Sequence, residues 1–243
     1  MILPGPKDAM HRGQLFRLLI ELADTPSLSR TLIFKGGTCA AMQGLLDRFS
    51  VDLDFDIVPS TSKAKVKREL EKVFSRLGLE IFNKSTATVQ YVVKYQASQD
   101  IRNTIKLDAI GYSLPSSVYK PKYLVDIDRY MLCQTVETMF AHKLVAVLDR
   151  YHKHRSIAGR DIYDIHYFFT HQYTYSKEVI RERTKLSVRE FFIQLVDFIQ
   201  EKVTQTIINE DLNMLLPPEK FSTVRKSLKV EVIAMLKSEM HQE

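Results

Sequence analysis

Cysteine is scarce in this chain: Cys39 and Cys133 are the two such residues among 243, and they form no Cys-x-x-Cys pair. Two are too few for a disulfide framework, so both are read as reduced thiols of a cytoplasmic protein. No apolar run approaches the roughly 20 residues that a membrane helix needs. The N-terminal stretch Met1-Ile2-Leu3-Pro4-Gly5-Pro6-Lys7-Asp8 lacks the basic-then-apolar order of a signal peptide. Neither membrane insertion nor secretion is therefore expected. The Gly-x-Ser-x-Gly elbow and the P-loop glycine pattern are both missing. His142, His152, His154 and His166 match no zinc spacing with a third ligand in place. No internal repeat, low-complexity tract or Gly/Ser linker is found.

What is present is the composition of a folded chain, with 45% hydrophobic and 26% charged residues. A chain this long buries roughly 70–75% of its unfolded surface, so it needs no staple. The net charge is +6, from 35 Lys and Arg against 29 Asp and Glu. That surplus suits a polyanionic partner such as RNA or a nucleotide, and solubility alone explains it equally well.

Hydrophobic spacing divides the chain by character. Leu15, Leu18, Leu19 and Leu22 predict a helix over 8–24. Thr31 to Phe34 is β-prone, and a helix is predicted over 39–47. Val51 to Val58 alternates apolar and acidic residues, and Pro59 to Ser62 predicts a turn. A charged helix follows over 63–77. β-like runs cover 79–83, 88–95, 104–112 and 123–132. Beyond Gln134, helices are predicted over 136–150, 160–171, 176–184, 187–206 and 222–240, with Pro217-Pro218 parting the last two. The expectation is an α+β fold: a mixed sheet with flanking helices over 1–133, then a helical bundle over 134–243.

The chemistry is concentrated in Val51-Asp52-Leu53-Asp54-Phe55-Asp56-Ile57. Alternation in a strand puts Val51, Leu53, Phe55 and Ile57 on one face and the three aspartates on the other. Carboxylates crowded on one face repel unless a cation sits among them. Mg²⁺ or Mn²⁺ would answer that, taking one or two carboxylates together with substrate phosphates. An isolated Asp-x-Asp is more often a solvated edge strand, so its context decides. Gly36-Gly37 lies 15 and 17 residues ahead of Asp52 and Asp54, after a predicted strand and before a predicted helix. Glycines there let a backbone approach a phosphate at a helix N-terminus, and Thr38 adds a hydroxyl or a cap.

Three further groups are candidates. Asp108 shares the polar parity of its run with Lys106 and completes a carboxylate triad if its strand lies beside 51–58; a surface Lys/Asp pair is the competing reading. Val136, Phe140, Lys143, Val147 and Arg150 form one helical stripe. Cations on an apolar stripe suit a cleft holding triphosphate, or simply snorkel at a bundle edge. Arg160-Asp161-Ile162-Tyr163-Asp164 opens the next helix, with Asp161 and Asp164 on one face and Arg160 within reach of Asp164.

Together these residues resemble a known family. Phe34-Lys35-Gly36-Gly37-Thr38, then Arg48-Phe49-Ser50-Val51-Asp52-Leu53-Asp54-Phe55, then Glu137 to Lys143, and Arg160 to Asp164 resemble the abortive-infection nucleotidyltransferase toxins of the AbiEii/AbiGii type. The resemblance spans about residues 30–170 and places the chain in the DNA polymerase β-like nucleotidyltransferase superfamily. It implies a nucleotidyltransferase-like first domain and a helical domain that completes the cleft. It implies that Gly36, Gly37 and Thr38 hold the triphosphate, with Lys35, Ser50, Arg150 and Arg160 as further nucleotide-binding candidates. Asp52 and Asp54 would bind the metal, Lys143 would contact nucleotide phosphate, and Asp161 would be a catalytic acidic residue near it. Asp108 has no clear family counterpart and rests on strand parity alone. The implied partners are a nucleoside triphosphate, an RNA acceptor such as the tRNA 3′ end, and a cognate antitoxin. Transfer to a protein or small-molecule hydroxyl stays open as an alternative, as does a nucleotide-binding protein without catalysis.

Overall fold

The structure, a computed structural model, describes residues 1–59, 61–98, 101–110 and 114–241. Residues 111–112 of the predicted run 104–112, and Ser60 of the predicted turn, lie outside the described residues. The chain divides into two compact units, Met1–Thr135 and Val136–Glu243.

In the first unit the described residues form a seven-stranded mixed sheet. Its strands are β1 (Leu32–Lys35), β2 (Leu53–Ile57), β3 (Glu80–Lys84), β4 (Val89–Lys94), β5 (Thr104–Ile110), β6 (Tyr119–Leu124) and β7 (Arg129–Gln134). Their spatial order is β3-β4-β5-β2-β1-β7-β6. β2 runs parallel to β5 and antiparallel to β1, while β1 runs parallel to β7. The helices are α1 (Ala9–Asp24), α2 (Pro26–Ser29), α3 (Gly36–Met42) and α4 (Lys63–Arg76).

Alternation makes this sheet two-faced. Leu53, Phe55, Ile57, Val89, Tyr91, Val93, Ile105, Leu107 and Ala109 are all buried. They pack with the apolar sides of α1 (Leu15, Leu18, Leu22) and α4 (Val66, Leu70, Val73, Phe74). Phe74 meets Tyr91 edge-on at 5.2 Å, and Phe34 stacks on Phe55 at 5.2 Å. The opposite face carries the polar residues of β1, β2, β4 and β5, and that is where the candidate site lies.

Several elements differ from the spacing-based expectation. The helix expected over 39–47 starts at Gly36 and ends at Met42. Gly36, at φ 78°, lets the chain pass from strand to helix without a spacer. At the far end Gly44, at φ 73°, closes a Schellman motif, with Leu45 N–H donating to Ala40 O and Gly44 N–H to Ala41 O. The charged stretch 123–132 is not one strand but the hairpin β6–β7, turned by Asp128 in the left-handed region.

The second unit is helical. It comprises α5 (Val136–His154), α6 (Gly159–Thr170), α7 (Lys177–Thr184), α8 (Val188–Lys202), α9 (Gln205–Leu212), α10 (Pro218–Val224) and α11 (Leu228–Met240). The expected helix over 187–206 stops at Lys202 because Thr204 caps a new one, its side chain accepting from Ile207 N–H. The expected helix over 222–240 is likewise two, α10 and α11, and Pro218 opens α10 from a first-turn position that suits its ring. Ser187 and Glu190 form a reciprocal capping box on α8. Phe140 anchors the core among Phe168, Phe169 and Tyr175. Among the described residues no helix is long and apolar enough to cross a membrane.

Candidate active site

The glycine turn is defined by what it touches. A Cβ added to Gly36 would stand 2.5 Å from Asp54 Oδ2, and one on Gly37 would stand 2.9 Å from both Arg48 Nη2 and Ser50 Oγ. The two glycines thus bring the start of α3 against the acidic strand and against the segment leading into it. The N–H groups of a first helical turn have no acceptor within the helix, and that end favours negative charge. Thr38 is buried, and its hydroxyl donates to the Asp52 carbonyl and shares a 2.9 Å hydrogen bond with Ser50 Oγ. Thr38 and Ser50 therefore fasten the chain on either side of Val51, which fixes where Asp52 enters the site.

The three aspartates of the acidic segment take different positions. Asp52 precedes β2 and Asp54 lies within it, both part-exposed. Asp56 shares their parity but is 3% exposed. Its carboxylate accepts from Lys35 Nζ at 2.6 Å, Tyr119 Oη at 3.1 Å and Gln134 Nε2 at 3.0 Å. Asp56 is a paired structural anion, and it sets the position of the Lys35 ammonium.

Sheet register supplies the third carboxylate. Asp54 pairs with Lys35 on one side and with Asp108 on the other. Register partners point to the same face, so Asp54 and Asp108 stand together about 5 Å apart at strand spacing. Lys106 Nζ bridges to Asp108 Oδ2 at 2.7 Å. Burial pulls the Lys106 ammonium down, but its bond to Asp108 and the charges of Asp108, Asp52 and Asp54 outweigh this and leave it above its usual range. The other oxygen, Asp108 Oδ1, is buried without a hydrogen-bond partner. Such an orphan costs roughly 1–3 kcal/mol, which a cation or a donated proton would relieve. Among the described residues no three acidic, His or Cys side chains converge on a ready-made metal cage. The donor set fits Mg²⁺ in its usual mode, one or two carboxylates completed by phosphate oxygens and water.

The second unit holds its own charge cluster. Lys143 Nζ on α5 lies 3.1 Å from Asp161 Oδ1 and 2.8 Å from Asp164 Oδ2 on α6. Arg150 reaches Asp161 Oδ2 with Nη2 at 3.1 Å. This is why cations sit on the apolar stripe of α5: α6 packs two carboxylates against it. Asp161 and Asp164 are at most 1% exposed. Burial pushes the Asp161 carboxyl up, but the charges of Lys143 and Arg150 and the Lys143 hydrogen bond hold it below the usual range. Asp164, suggested by spacing as a partner of Arg160, takes Lys143. The Arg160 N–H donates to Asp211 Oδ2 at 3.2 Å.

Three contributors had no role assigned from the sequence. His11 is fully buried, and its ring joins Tyr95 Oη at 2.8 Å and the Val51 carbonyl at 3.0 Å, one residue before Asp52. Desolvation lowers its pKa to about 4, against a smaller raising effect of the Val51 bond. It lies four residues before Leu15 on the apolar stripe of α1, so a polar ring in a core position was the available signal. Arg48 is 2% exposed behind Gly37 and donates to the Phe49 carbonyl at 2.9 Å. A Cβ on Gly159 would stand 2.8 Å from the Ile207 carbonyl, so only glycine lets α6 start this close to α9; no sequence signal identified that contact.

The family described as "Nucleotidyl transferase AbiEii toxin, Type IV TA system" matches residues 17–227. No curated protein matches the chain. Among solved structures, JHP933 from Helicobacter pylori superposes with a TM-score of 0.60 at 21% identity, covering 99% of this chain and 94% of that one. MenT4, a nucleotidyltransferase toxin from Mycobacterium tuberculosis, gives 0.54 at 18% identity, covering 97% and 87%. An antigenic nucleotidyltransferase-like protein from Paracoccidioides brasiliensis gives 0.51 at 13%, covering 85% and 95%. At these identities the structural likeness speaks for the fold.

Proposed function

The chain belongs to the AbiEii nucleotidyl transferase toxin family, and from that premise we propose that this nucleotidyltransferase moves a nucleoside monophosphate from a nucleoside triphosphate to a hydroxyl of RNA, at the tRNA 3′ end. The observation that carries the reading is the alignment of Lys35, Asp54 and Asp108 in one register across β1, β2 and β5, with Gly36 packed against Asp54.

The acceptor oxygen attacks the α-phosphorus, the bond from that phosphorus to the bridging oxygen breaks, and pyrophosphate leaves. Gly36 and Gly37 let the start of α3 receive the triphosphate, with Lys35 beside it. Asp108 would take the proton of the acceptor hydroxyl, a role that the missing hydrogen-bond partner of its Oδ1 supports. Asp52 and Asp54 would hold Mg²⁺ or Mn²⁺, which when bound supplies charge neutralisation for the phosphates. Thr38, Ser50 and His11 act on the site by holding the backbone around Asp52. In the second unit, Lys143, Arg150 and Arg160 are assigned to phosphate. Asp161, turned inward onto Lys143 and Arg150, orients those cations rather than touching substrate.

The surplus of positive charge supports RNA as acceptor. The family supports action as a toxin with a cognate antitoxin, and action in the cytoplasm, in defence against phage, is part of the same proposal. The test is transfer of α-³²P label from each of the four nucleoside triphosphates to total tRNA with Mg²⁺, wild type against Asp54→Ala. Label on tRNA from wild type alone supports the reading. Label on protein, or none with nucleotide still bound, refutes the RNA acceptor.

A further inference from the structure

The polar face of the sheet extends one strand beyond the carboxylates. Asp108 on β5 pairs with Gln90 on β4. One transverse row therefore runs Lys35, Asp54, Asp108, Gln90 across four strands. At roughly 5 Å per strand, Gln90 stands about 10 Å from Asp54, on the side away from the glycine turn.

A cavity of about 290 Å³ opens at that end of the row, lined by Asn83, Lys84, Gln90, Lys106 and Asp108 among others. It is near the lower end of the roughly 300–1,000 Å³ typical of small-ligand sites. A single nucleotide unit suits it better than a whole triphosphate. Its rim is held in shape. Lys67 Nζ donates to the Ser85 and Thr86 carbonyls at 2.8 and 2.9 Å, pinning the β3–β4 turn. Thr88 Oγ1 donates to Gln90 Oε1 at 2.9 Å, which orients the Gln90 amide.

We propose that this cavity receives the terminal nucleotide of the RNA acceptor. The inference rests on the reading above, that the chain transfers nucleotidyl groups to RNA. In-line displacement puts attacking and leaving oxygens on opposite sides of the phosphorus. With the leaving pyrophosphate on the Lys35–Gly36 side, the attacking hydroxyl arrives from the Asp108–Gln90 side, where the cavity lies. The lining suits a nucleotide chemically. The Asn83 and Gln90 amides offer donors and acceptors for a base edge, and Lys106, bridged to Asp108, offers charge to a phosphate, whereas Lys84 is drawn to Glu71 of α4 at 2.9 Å. Tyr91 and Val92 also line it, but Tyr91 is buried in the core, so polar side chains outnumber the apolar ones that a small lipophilic acceptor would need.

The experiment is steady-state transfer to purified tRNA with separate titrations of tRNA and nucleoside triphosphate, comparing wild type with an Asn83→Ala/Gln90→Ala double variant. Both side chains are exposed, so folding is not at stake, and circular dichroism checks this. The expected result is a rise of about tenfold in KM for tRNA, the worth of one to two lost hydrogen bonds, with kcat and KM for the nucleotide within about twofold of wild type. An unchanged KM for tRNA overturns this inference while leaving the proposed function standing. A rise in nucleotide KM instead would assign the cavity to the triphosphate and also overturn it. Failure of wild type to label any RNA refutes the function itself, and the inference with it.

Discussion

Gly36 and Asp54 are packed so closely that a methyl group on the glycine would stand 2.5 Å from the Asp54 carboxylate oxygen. The phosphate turn and the acidic strand are thereby one rigid object: neither can shift without displacing the other.

Gly36→Ala is expected to cut transfer by about 100-fold, because reacting groups displaced by a fraction of an ångström lose that much. The left-handed backbone adds roughly 1–2 kcal/mol of strain. Gly44 shares the positive φ, but a Cβ there meets nothing within 4 Å. Gly44→Ala should cost similar stability and leave turnover intact. Urea unfolding and kcat, measured on both variants, separate the two effects.

Asp54→Asn and Asp56→Asn should behave oppositely although the residues share a strand face. Asp54→Asn should reduce transfer by at least about 100-fold, with stability unchanged or slightly raised as like charges are relieved. Asp56→Asn removes the partner of Lys35 and weakens the bonds from Tyr119 and Gln134. It should destabilise by about 3 kcal/mol, since it leaves a mostly buried cation uncompensated. Equal stability losses in the two variants would contradict this division.

The pH dependence of stability should carry the signature of His11. Its folded pKa, about 4, is below the ordinary 6.5, because burial disfavours the imidazolium. Between those values the unfolded chain binds the extra proton. The stabilisation is therefore complete above about pH 6.5 and is lost as pH falls towards 4, amounting to roughly 3 kcal/mol. His11→Leu should flatten that slope, as read from urea midpoints at pH 7, 5.5 and 4.5. Asp161, whose pKa is depressed, contributes in the same sense but only as pH falls below about 3.8.

Lys143→Met should destabilise the second unit by about 3 kcal/mol, because Asp161 and Asp164 stay buried with one cation fewer. The triple variant Lys143→Met/Asp161→Leu/Asp164→Leu should recover much of that loss without recovering transfer. Calorimetric Tm values paired with label transfer would show it; an inactive enzyme of full stability in Lys143→Met would argue for a purely catalytic lysine.

The sequence by itself determined the two-faced strands, since period-2 alternation fixes which side chains share a face. It also determined the glycine pair, the acidic segment, the family and the helical character of the second half. Parity put Asp52, Asp54 and Asp56 together, but parity is blind to neighbours. Only the sheet order, with β2 between β1 and β5, decided that Asp54 stands beside Asp108 and that Asp56 is consumed by Lys35, Tyr119 and Gln134. The same holds for Lys143: its place on an apolar stripe was visible, but the α6 carboxylates that justify it are 18 and 21 residues away. Local spacing encodes direction along a chain. Which charges meet is set by long-range pairing, where burial forces every polar group to find a partner from whatever strand or helix the fold brings alongside.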